Sequence, residues 1–474
     1  MESYDLTIIG GGPGGYVCAI RAAQLGMKVA LIEKRDTIGG TCVNEGCIPS
    51  KALLDSSEKF FKTKNELGVH GISVSDVKLD LKKMMDRKLK VVKELTDGLD
   101  FLMKKNKITV IHGTGTIQKN EKDKITIDIN GAKKETIESK KCVIATGSRP
   151  APLIADGKEI KTDGKTIIGS EHAIALEKIP EHLIIAGGGV IGLEMASIWV
   201  RLGAKVTIIE FLPEIIPHID RQLREAARRS FSKQGMNILT DHEVTEAAVH
   251  TAGVAVKIRD KKSGEVKSIE GDKLLIAIGR KAFYDSLGIE NTGIQFTDRG
   301  CIKVNPKTLE TDSPGIFAIG DVIPGPMLAH KAEEEGVMVA ENLAGKPGHV
   351  NYNAVPFIVY TWPEIAWVGR SEEQLKKEGI ECSTGKYLFR PNGRAKAMEE
   401  SEGLVKIMAD RTTDTILGVS IVGPFASEMI SEAVIAMEFG ASAEDIARSF
   451  HAHPTLSEVM REAAMDVEKR SIHG

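Results

Sequence analysis

One strand–turn–helix–strand unit occurs twice in this chain, at an offset of 177 residues measured from residue 33 to residue 210. In each copy a short apolar run leads into a glycine-rich turn, a helix-like stretch and a second apolar run that ends in an acid. The matched positions, which align without a gap, are Gly10 with Gly187, Gly12 with Gly189, Gly15 with Gly192, and Glu33 with Glu210.

This pattern is the G-x-G-x-x-G fingerprint in the context that supports it. The three glycines allow a tight turn, close approach of a pyrophosphate and close packing of helix against strand, and the acid suits a ribose hydroxyl. The helix N-terminus then faces the phosphate charge. A single copy could be an ordinary glycine turn, but two copies with strand and acid predict two dinucleotide-binding units.

A cysteine pair, Cys42 and Cys47, follows the first copy closely. In a regular helix, residues five apart lie roughly 8–9 Å apart, whereas a disulfide needs about 4.4–6.8 Å between α-carbons. A redox-active disulfide therefore requires irregular backbone, which Gly46 and Pro49 permit. The alternatives are two unrelated thiols or half of a zinc site. Zinc is disfavoured because the other cysteines, Cys18, Cys142, Cys301 and Cys382, are solitary.

The length and the net charge of the chain limit the classes of protein to which it can belong. A chain of 474 residues predicts about three domains. A net charge of −3 with both signs interspersed argues against nucleic acid or a membrane surface as partner. No apolar run reaches about 18 residues, so no membrane span is expected. The strand-like run Tyr4–Ile9 leaves no room for a targeting peptide before it, which predicts a cytoplasmic protein.

Further glycine-ended apolar runs organise the chain. Buried parallel strands are predicted before Thr146-Gly147, before Gly279 and before Gly320-Asp321. The first dinucleotide-binding domain is thus interrupted by the second and resumed after it, while β-rich segments past residue 350 indicate an α+β domain. The fold class is α/β, with two Rossmann-like domains, one inserted in the other, and a C-terminal α+β domain. The predicted boundaries are 1–149 and 283–349 for the first domain, 150–282 for the second, and 350–474 for the third.

Residues 78–105 show the spacing of a long amphipathic helix with a lysine-rich solvated face. Its predicted apolar side consists of Leu81, Met84, Met85, Leu89, Val92, Leu95 and Leu99.

The third domain ends in a histidine-containing segment, His451 to Glu458. Pro454 and Thr455 predict a turn and helix start, which places Glu458 on the first helical turns. Only a thiolate attacks a disulfide, and an imidazole held by a carboxylate can take the thiol proton near neutral pH. Taken alone, His453 is more often a capping or surface histidine; the cysteine pair favours the acid–base role. His451 keeps the capping or surface interpretation.

Together these motifs resemble those of the pyridine nucleotide–disulfide oxidoreductases over nearly the whole chain, and within them the branch that oxidises dihydrolipoamide. The resemblance implies FAD on the first unit, with Glu33 at the adenosine ribose and Asp321 near the ribitol, and NAD on the second. It also implies that the C-terminal domain, residues 350–474, is a dimerisation domain that forms a homodimer, and that the His453–Pro454 bond is cis. Further cofactor contacts implied are Lys51, Thr146, Gly147, Glu194, Gly279 and Ala329.

The same resemblance implies the roles of the catalytic residues. His453, oriented by Glu458, removes a thiol proton from dihydrolipoamide bound between subunits. The thiolate attacks Cys42, and Cys47 passes two electrons to FAD, which reduces NAD. The implied partners are lipoylated carriers of 2-oxo acid dehydrogenase complexes or of the glycine cleavage system. Two alternatives belong to other functional classes. One is a docking role in such complexes, and the other is a purely structural flavin scaffold.

Alternatives within the family differ in cofactor and in extra cysteines. Glu210 suits a free ribose 2′-hydroxyl and would repel a 2′-phosphate, which favours NAD over NADP. Glutathione and trypanothione reductases use NADPH and are therefore disfavoured. Mercuric reductases carry an extra C-terminal cysteine pair, and residues 471–474 contain none.

Overall fold

The computed structural model describes residues 1–121 and 123–473. The chain forms two compact units. One comprises residues 1–53, 80–151 and 279–350, and the other comprises residues 54–79, 152–278 and 351–474. The four domain boundaries predicted from the sequence remain predictions.

Helices and strands alternate in parts of the chain, and runs of consecutive strands, within residues 109–168 and 236–282, separate those parts. The helices are α1 (Pro13–Gln24), α2 (Gly40–Glu45), α3 (Cys47–Asn65), α4 (Leu81–Lys105), α5 (Ser170–Ala173), α6 (Val190–Arg201), α7 (Arg221–Lys233), α8 (Ala329–Leu343), α9 (Glu372–Glu378), α10 (Gly393–Ala397), α11 (Ala426–Glu438), α12 (Ala443–Arg448) and α13 (Glu458–Val467). The strands are β1 (Glu2–Ile9), β2 (Val29–Glu33), β3 (Thr109–Glu121), β4 (Lys124–Gly131), β5 (Lys134–Ile144), β6 (Ser148–Pro150), β7 (Leu153–Ala155), β8 (Lys158–Ile160), β9 (Ile167–Ile168), β10 (His182–Ala186), β11 (Lys205–Ile209), β12 (Met236–Leu239), β13 (His242–His250), β14 (Gly253–Asp260), β15 (Val266–Gly271), β16 (Lys273–Ile276), β17 (Arg280–Ala282), β18 (Ile316–Ala318), β19 (Phe357–Val359), β20 (Glu364–Gly369), β21 (Cys382–Leu388), β22 (Leu404–Asp410) and β23 (Ile416–Gly423).

The first unit is built on the sheet that contains β1. Strand β1 pairs in parallel with β2 and β5, and β2 in turn pairs in parallel with β3. Strand β18 pairs in parallel with β5, so residues after the second glycine repeat return to the first sheet. The predicted interruption and resumption of this domain is confirmed. Because parallel strands are buried on both faces, their side chains form near-continuous apolar runs, as in the fully buried segment Val29–Ile32.

The second unit carries two larger sheets. One is parallel, in the order β12-β11-β10-β16-β9, with β10 leading into the second glycine repeat. The other is antiparallel, in the order β19-β20-β23-β22-β21, with α11 and α13 packed on it. The change from parallel to antiparallel pairing confirms the α+β character predicted past residue 350.

The long helix begins at Leu81, where the Asp80 carboxylate caps it by accepting from the backbone N–H of Lys83 at 2.9 Å. Its predicted apolar face is partly wrong, since Leu89 and Leu95 are 58% and 42% exposed. Lys88 is buried instead, so the lysine-rich side is not wholly solvated. The helix has more apolar side chains than one buried stripe can accommodate, and packing selects Met84, Lys88, Thr96, Leu99 and Met103.

Among the residues that the structure describes, no helix is long and apolar enough to cross a bilayer. The cytoplasmic location stays a prediction. Within the same residues, no cluster of three or more potential ligands could hold a metal ion.

Candidate active site

The first glycine turn lies between β1 and α1. It has no space for side chains at the first and third of its three motif glycines, Gly10 and Gly15. Gly10 has φ +111°, and a Cβ there would lie 2.3 Å from the carbonyl oxygen of Ala145. A Cβ on Gly15 would lie 1.8 Å from the carbonyl oxygen of Gly10. Gly12 is different, because the nearest atom to its Cβ would be 3.9 Å away. The middle glycine therefore leaves open space at the N-terminus of α1.

The second turn, between β10 and α6, repeats this arrangement. Gly187 also has φ +111°, and its Cβ would lie 2.4 Å from the carbonyl oxygen of Ala277. A Cβ on Gly192 would lie 2.1 Å from the carbonyl oxygen of Gly187, while one on Gly189 would meet no atom within 4 Å. Both turns fit a pyrophosphate, which needs close access to a helix N-terminus and to backbone N–H groups.

The two acids of the repeat hold their turns in the same way. Glu33 accepts from the N–H of Gly11 at 2.7 Å and from the N–H of Arg35 at 2.9 Å. Glu210 accepts from the N–H of Gly188 at 2.6 Å and from the N–H of Leu212 at 2.7 Å. An ionised carboxylate has about four lone-pair sites. Each acid therefore keeps acceptor capacity for the hydroxyls of a ribose.

Asp321 lies in a hydrogen-bonded cluster of the first unit. Its carboxylate accepts from the Ser148 hydroxyl at 2.5 Å, and the Ser148 oxygen accepts from Nε of Arg280 at 2.6 Å. Nearby, the Thr146 hydroxyl donates to the carbonyl of Phe283 at 2.5 Å. These bonds join the ends of β5 and β18 to strands β6 and β17, so the side chain of Asp321 has a fixed orientation.

The cysteines occupy two successive helices of the same unit. Cys42 lies in α2, Cys47 begins α3, and the chain breaks the helix at Gly46, whose φ and ψ are −130° and −111°. The predicted irregular backbone is confirmed, but Pro49 plays no part in it because it lies within α3. The N–H of Gly39 donates to the carbonyl of Gly11 at 2.8 Å, which holds the start of α2 against the first glycine turn.

Both cysteines are thiols in this structure and they interact. A hydrogen bond with Cys47, followed by burial, raises the pKa of Cys42, and the nearby Lys51 ammonium opposes that rise. Lys51 lies one helical turn after Cys47 on α3. The solitary cysteines differ, since burial alone raises the pKa of Cys18 and of Cys142 to about 12. Those two thiols are inert core residues.

His453 and Glu458 form a pair at the start of α13. Glu458 accepts from the N–H of Thr455 at 2.8 Å, and its other oxygen lies 2.9 Å from Nδ1 of His453. Burial opposes ionisation of Glu458, but the Thr455 and His453 hydrogen bonds outweigh it, so the pKa of Glu458 is lowered. The His453 side chain is 79% exposed. Because Nδ1 faces the carboxylate, Nε2 is on the accessible side of the ring.

The enclosed side chain of the neighbouring His451 corrects the surface interpretation, but its contact with Ser449, the residue that ends α12, agrees with the capping one. Its side chain is only 6% exposed, and Nε2 lies 2.7 Å from the carboxylate of Glu432. Nδ1 lies 3.0 Å from the carbonyl of Ser449. Both ring nitrogens are therefore occupied, and no nitrogen is left for a substrate. The bond between His453 and Pro454 is cis, as predicted.

Known families match nearly the whole chain. Residues 4–336 match the family described as pyridine nucleotide-disulphide oxidoreductase, and residues 355–464 match the dimerisation domain of that family.

The chain belongs to the pyridine nucleotide–disulphide oxidoreductases.

Relatives in this family extend over the full length. The chain is 48% identical to dihydrolipoyl dehydrogenase 1, mitochondrial, of Arabidopsis thaliana, covering 100% of this chain and 92% of that protein. It is 45% identical to a dihydrolipoyl dehydrogenase of Cupriavidus necator, covering 100% and 99%. The crystal structure of LpdA from Mycobacterium tuberculosis superposes with a TM-score of 0.89 at 26% identity, covering 98% and 99% of the two chains.

Enzymes of this family use FAD and NAD, and the open middle glycines of both turns are compatible with these cofactors. In the first unit, Glu33 binds the first turn, and Thr146 lies beside it, since a Cβ on Gly10 would be 3.1 Å from the Cα of Thr146. Ala329 begins α8, and Gly147 and Gly279 have φ +75° and +126°. In the second unit Glu194 is buried on α6 and accepts from the N–H of Tyr360 at 3.1 Å.

Sequence reasoning missed the residues that support the site. Ser148 and Arg280 orient Asp321. Both belong to predicted turns that follow predicted strands, so the sequence did contain a signal that could have indicated them. Lys261 lies 3.4 Å from the ring centroid of Phe211 and donates to its carbonyl at 2.9 Å, immediately after Glu210. This lysine is distant in sequence, and no motif indicated it.

Proposed function

We propose that this protein is an NAD-dependent dihydrolipoyl dehydrogenase that acts as a homodimer. The observation that carries the proposal is the combination of a close thiol pair beside one dinucleotide turn with an exposed, carboxylate-held histidine in the dimerisation domain. The relatives named dihydrolipoyl dehydrogenase support the choice of substrate.

The two cofactors have separate sites in this proposal. FAD is held by the first turn, with Glu33 at its ribose, Asp321 at its ribitol, and Lys51, Thr146, Gly147 and Ala329 as further contacts. NAD is held by the second turn, with Glu210 at its ribose and with Glu194 and Gly279 nearby. When bound, these cofactors supply the transfer of two electrons from the reduced thiol pair to NAD.

The proposed thiol–disulfide exchange requires only the cysteine pair and dihydrolipoamide as reactants. In the oxidised enzyme Cys42 and Cys47 form a disulfide. A thiolate of dihydrolipoamide attacks the sulfur of Cys42, the S–S bond breaks, and Cys47 leaves as a thiolate. The second substrate thiolate attacks the mixed disulfide, which releases Cys42 and oxidised lipoamide. Dihydrolipoamide loses two electrons and two protons, and the enzyme gains the electrons as a reduced cysteine pair and the protons on His453 and one cysteine sulfur.

His453 holds the proton that these exchanges release. Nε2 of its ring accepts the proton from the substrate thiol, and the ionised Glu458 stabilises the resulting imidazolium. The lowered pKa of Glu458 keeps that carboxylate charged at neutral pH. In the proposed dimer, His453 serves the cysteine pair of the partner subunit.

Lipoylated carriers are the partners that this reaction requires. The protein would serve 2-oxo acid dehydrogenase complexes or the glycine cleavage system, where lipoamide is attached to a carrier domain. A pull-down with a lipoylated carrier and with fragments of a core enzyme separates substrate binding from docking. Retention of the carrier alone supports turnover without a docking role.

Thiol alkylation tests the redox pair directly. In the oxidised holoenzyme, Cys42 and Cys47 should resist iodoacetamide, and anaerobic addition of dihydrolipoamide should make at least Cys42, the sulfur that the substrate attacks, reactive. Mass spectrometry of the peptide that spans residues 42–47 measures both states. Equal alkylation before and after dihydrolipoamide would contradict the proposal.

A further inference from the structure

A lysine and a glutamate form an ion pair inside the core of the first unit. Nζ of Lys331 lies 3.0 Å from Oε1 of Glu335, one turn apart on α8, and both side chains are 0% exposed. Neither residue is among those assigned to thiol chemistry or cofactor contact. A buried pair of full charges in an apolar core needs a specific reason.

Both members of the pair also bind the backbone of one residue, Gly320. The N–H of Gly320 donates to Oε2 of Glu335 at 2.7 Å, and Nζ of Lys331 donates to the carbonyl of Gly320 at 3.1 Å. Gly320 has φ +76°, a conformation that favours glycine. The ion pair thus holds both polar groups of this residue in a closed ring of hydrogen bonds.

The residue after Gly320 is Asp321, whose carboxylate is oriented from the other side by Ser148 at 2.5 Å. The backbone of the Gly320–Val322 turn is therefore fixed by α8, and the side chain of Asp321 is fixed through Ser148 and Arg280. Helix α8 itself begins at Ala329, two residues before Lys331. One ion pair connects the Asp321 turn with the N-terminal end of this helix.

Stability alone gives a poor account of such a pair. Removing two charges from water costs several kcal/mol per ion in real proteins, and well-packed apolar residues of similar size often serve equally well or better. Two apolar side chains here, however, would leave the N–H and C=O of Gly320 without these partners. The geometry favours a positional role over a stabilising one.

We propose that Lys331 and Glu335 are positioning residues for the flavin: they fix the Gly320–Asp321 turn relative to the start of α8, so that Asp321 is preorganised to bind the ribitol of FAD. This inference rests on the assignment of FAD to the first unit. Neither residue touches the cofactor, and both act through Gly320.

The first experiment measures FAD affinity in three variants of the holoenzyme, from the rise of flavin fluorescence on dilution. E335Q keeps the size of the side chain and one acceptor but loses the charge, and E335L removes the acceptor as well. We expect the Kd for FAD to rise about tenfold in E335Q and further in E335L, the scale of coupling between directly contacting groups. The matched control is E341Q on the same helix, which loses the partly buried pairing with Arg21 and should bind FAD like the wild type.

A double-mutant cycle with D321A separates positioning from general destabilisation. If the ion pair acts through Asp321, E335Q should weaken FAD binding in the wild-type background and have little further effect in the D321A background. Far-UV circular dichroism and the Kd for NAD, which binds the second unit, verify that each variant is folded. If E335L does not fold, E335Q alone decides the outcome.

Two results would overturn the inference: wild-type FAD affinity in folded E335Q, or equal losses in both backgrounds. The proposed function fails differently, because a wild-type protein that binds no flavin at all would refute the FAD site itself. A protein that binds flavin normally but is indifferent to E335Q refutes only the positioning role.

Discussion

Glu33 and Glu210 make the same two backbone hydrogen bonds in two different sheets, each carboxylate accepting from the second residue of its glycine turn and from the residue two positions after itself. The repeat seen in the sequence is therefore also a repeat of geometry. Because the two equivalent acids are proposed to bind two different cofactors, their variants form a matched pair.

E210Q should weaken NAD binding and leave the flavin in place, whereas E33Q should weaken FAD binding. Each substitution keeps the size of the side chain but removes the charged acceptor, and a hydrogen bond to a charged group is worth about 1.5–3 kcal/mol, which corresponds to roughly tenfold or more. KM for NAD and the flavin content after gel filtration measure the two effects. If E33Q loses NAD affinity and keeps FAD, the assignment of the two units is reversed.

Two glycines of the second turn should respond differently to alanine. A Cβ on Gly189 meets no atom within 4 Å, so G189A should fold with a near-normal Tm and bind NAD poorly, because the methyl group takes space intended for the pyrophosphate. A Cβ on Gly192 lies 2.1 Å from the carbonyl oxygen of Gly187, so G192A should lower Tm by about 5 °C or more. Normal NAD affinity in G189A would place the pyrophosphate elsewhere.

C47S should abolish dihydrolipoamide turnover and leave FAD bound. The serine cannot form the disulfide, while the flavin contacts proposed at Glu33 and Asp321 are unchanged. Absorbance near the flavin band and the rate of NADH formation report the two properties. Loss of flavin colour would show that Cys47 supports the cofactor instead.

H453Q should lower the rate by about 10²-fold, the usual scale of general acid–base catalysis. The matched control is H451Q, two residues earlier, because His451 is almost fully enclosed and paired with Glu432. That variant should turn over normally at the temperature of the assay. A similar loss of rate in both would indicate a structural effect on the segment rather than proton transfer.

His451 should instead contribute stability that depends on pH. The hydrogen bond to Glu432 outweighs burial and raises the pKa of His451 above its ordinary value near 6.5. A raised folded pKa gives stabilisation that is fully present below the ordinary pKa and is lost as the pH rises through the folded pKa. The difference in Tm between wild type and H451Q should therefore be larger at about pH 6 than at about pH 9. A constant difference would contradict the pairing.

The sequence predicted the fold well because its strongest signals are local and repeated. The glycine turns, the strand ends at Gly147 and Gly320, and the break at Gly46 all depend on backbone conformations that few residues allow. The buried side of α4 was predicted less well. Helical spacing indicates that one face is buried, but packing decides which of several apolar side chains it includes.

The supporting residues of the site could not be predicted in the same way. Lys261, Ser148 and the Lys331–Glu335 pair act through contacts between segments distant in the chain. His451 and His453 look alike in sequence, and only the structure distinguishes the enclosed ring from the exposed one. Motif spacing predicts which residues carry chemistry, whereas their support depends on tertiary contacts.

The proposed reaction is measured by a spectrophotometric assay of the purified protein with dihydrolipoamide, with NAD and NADP offered in parallel. We expect rapid formation of NADH and little formation of NADPH, because Glu210 would accept a ribose hydroxyl and repel a 2′-phosphate. Failure with NAD, together with NADPH-dependent reduction of another disulfide such as oxidised glutathione, would contradict the proposed substrate and cofactor.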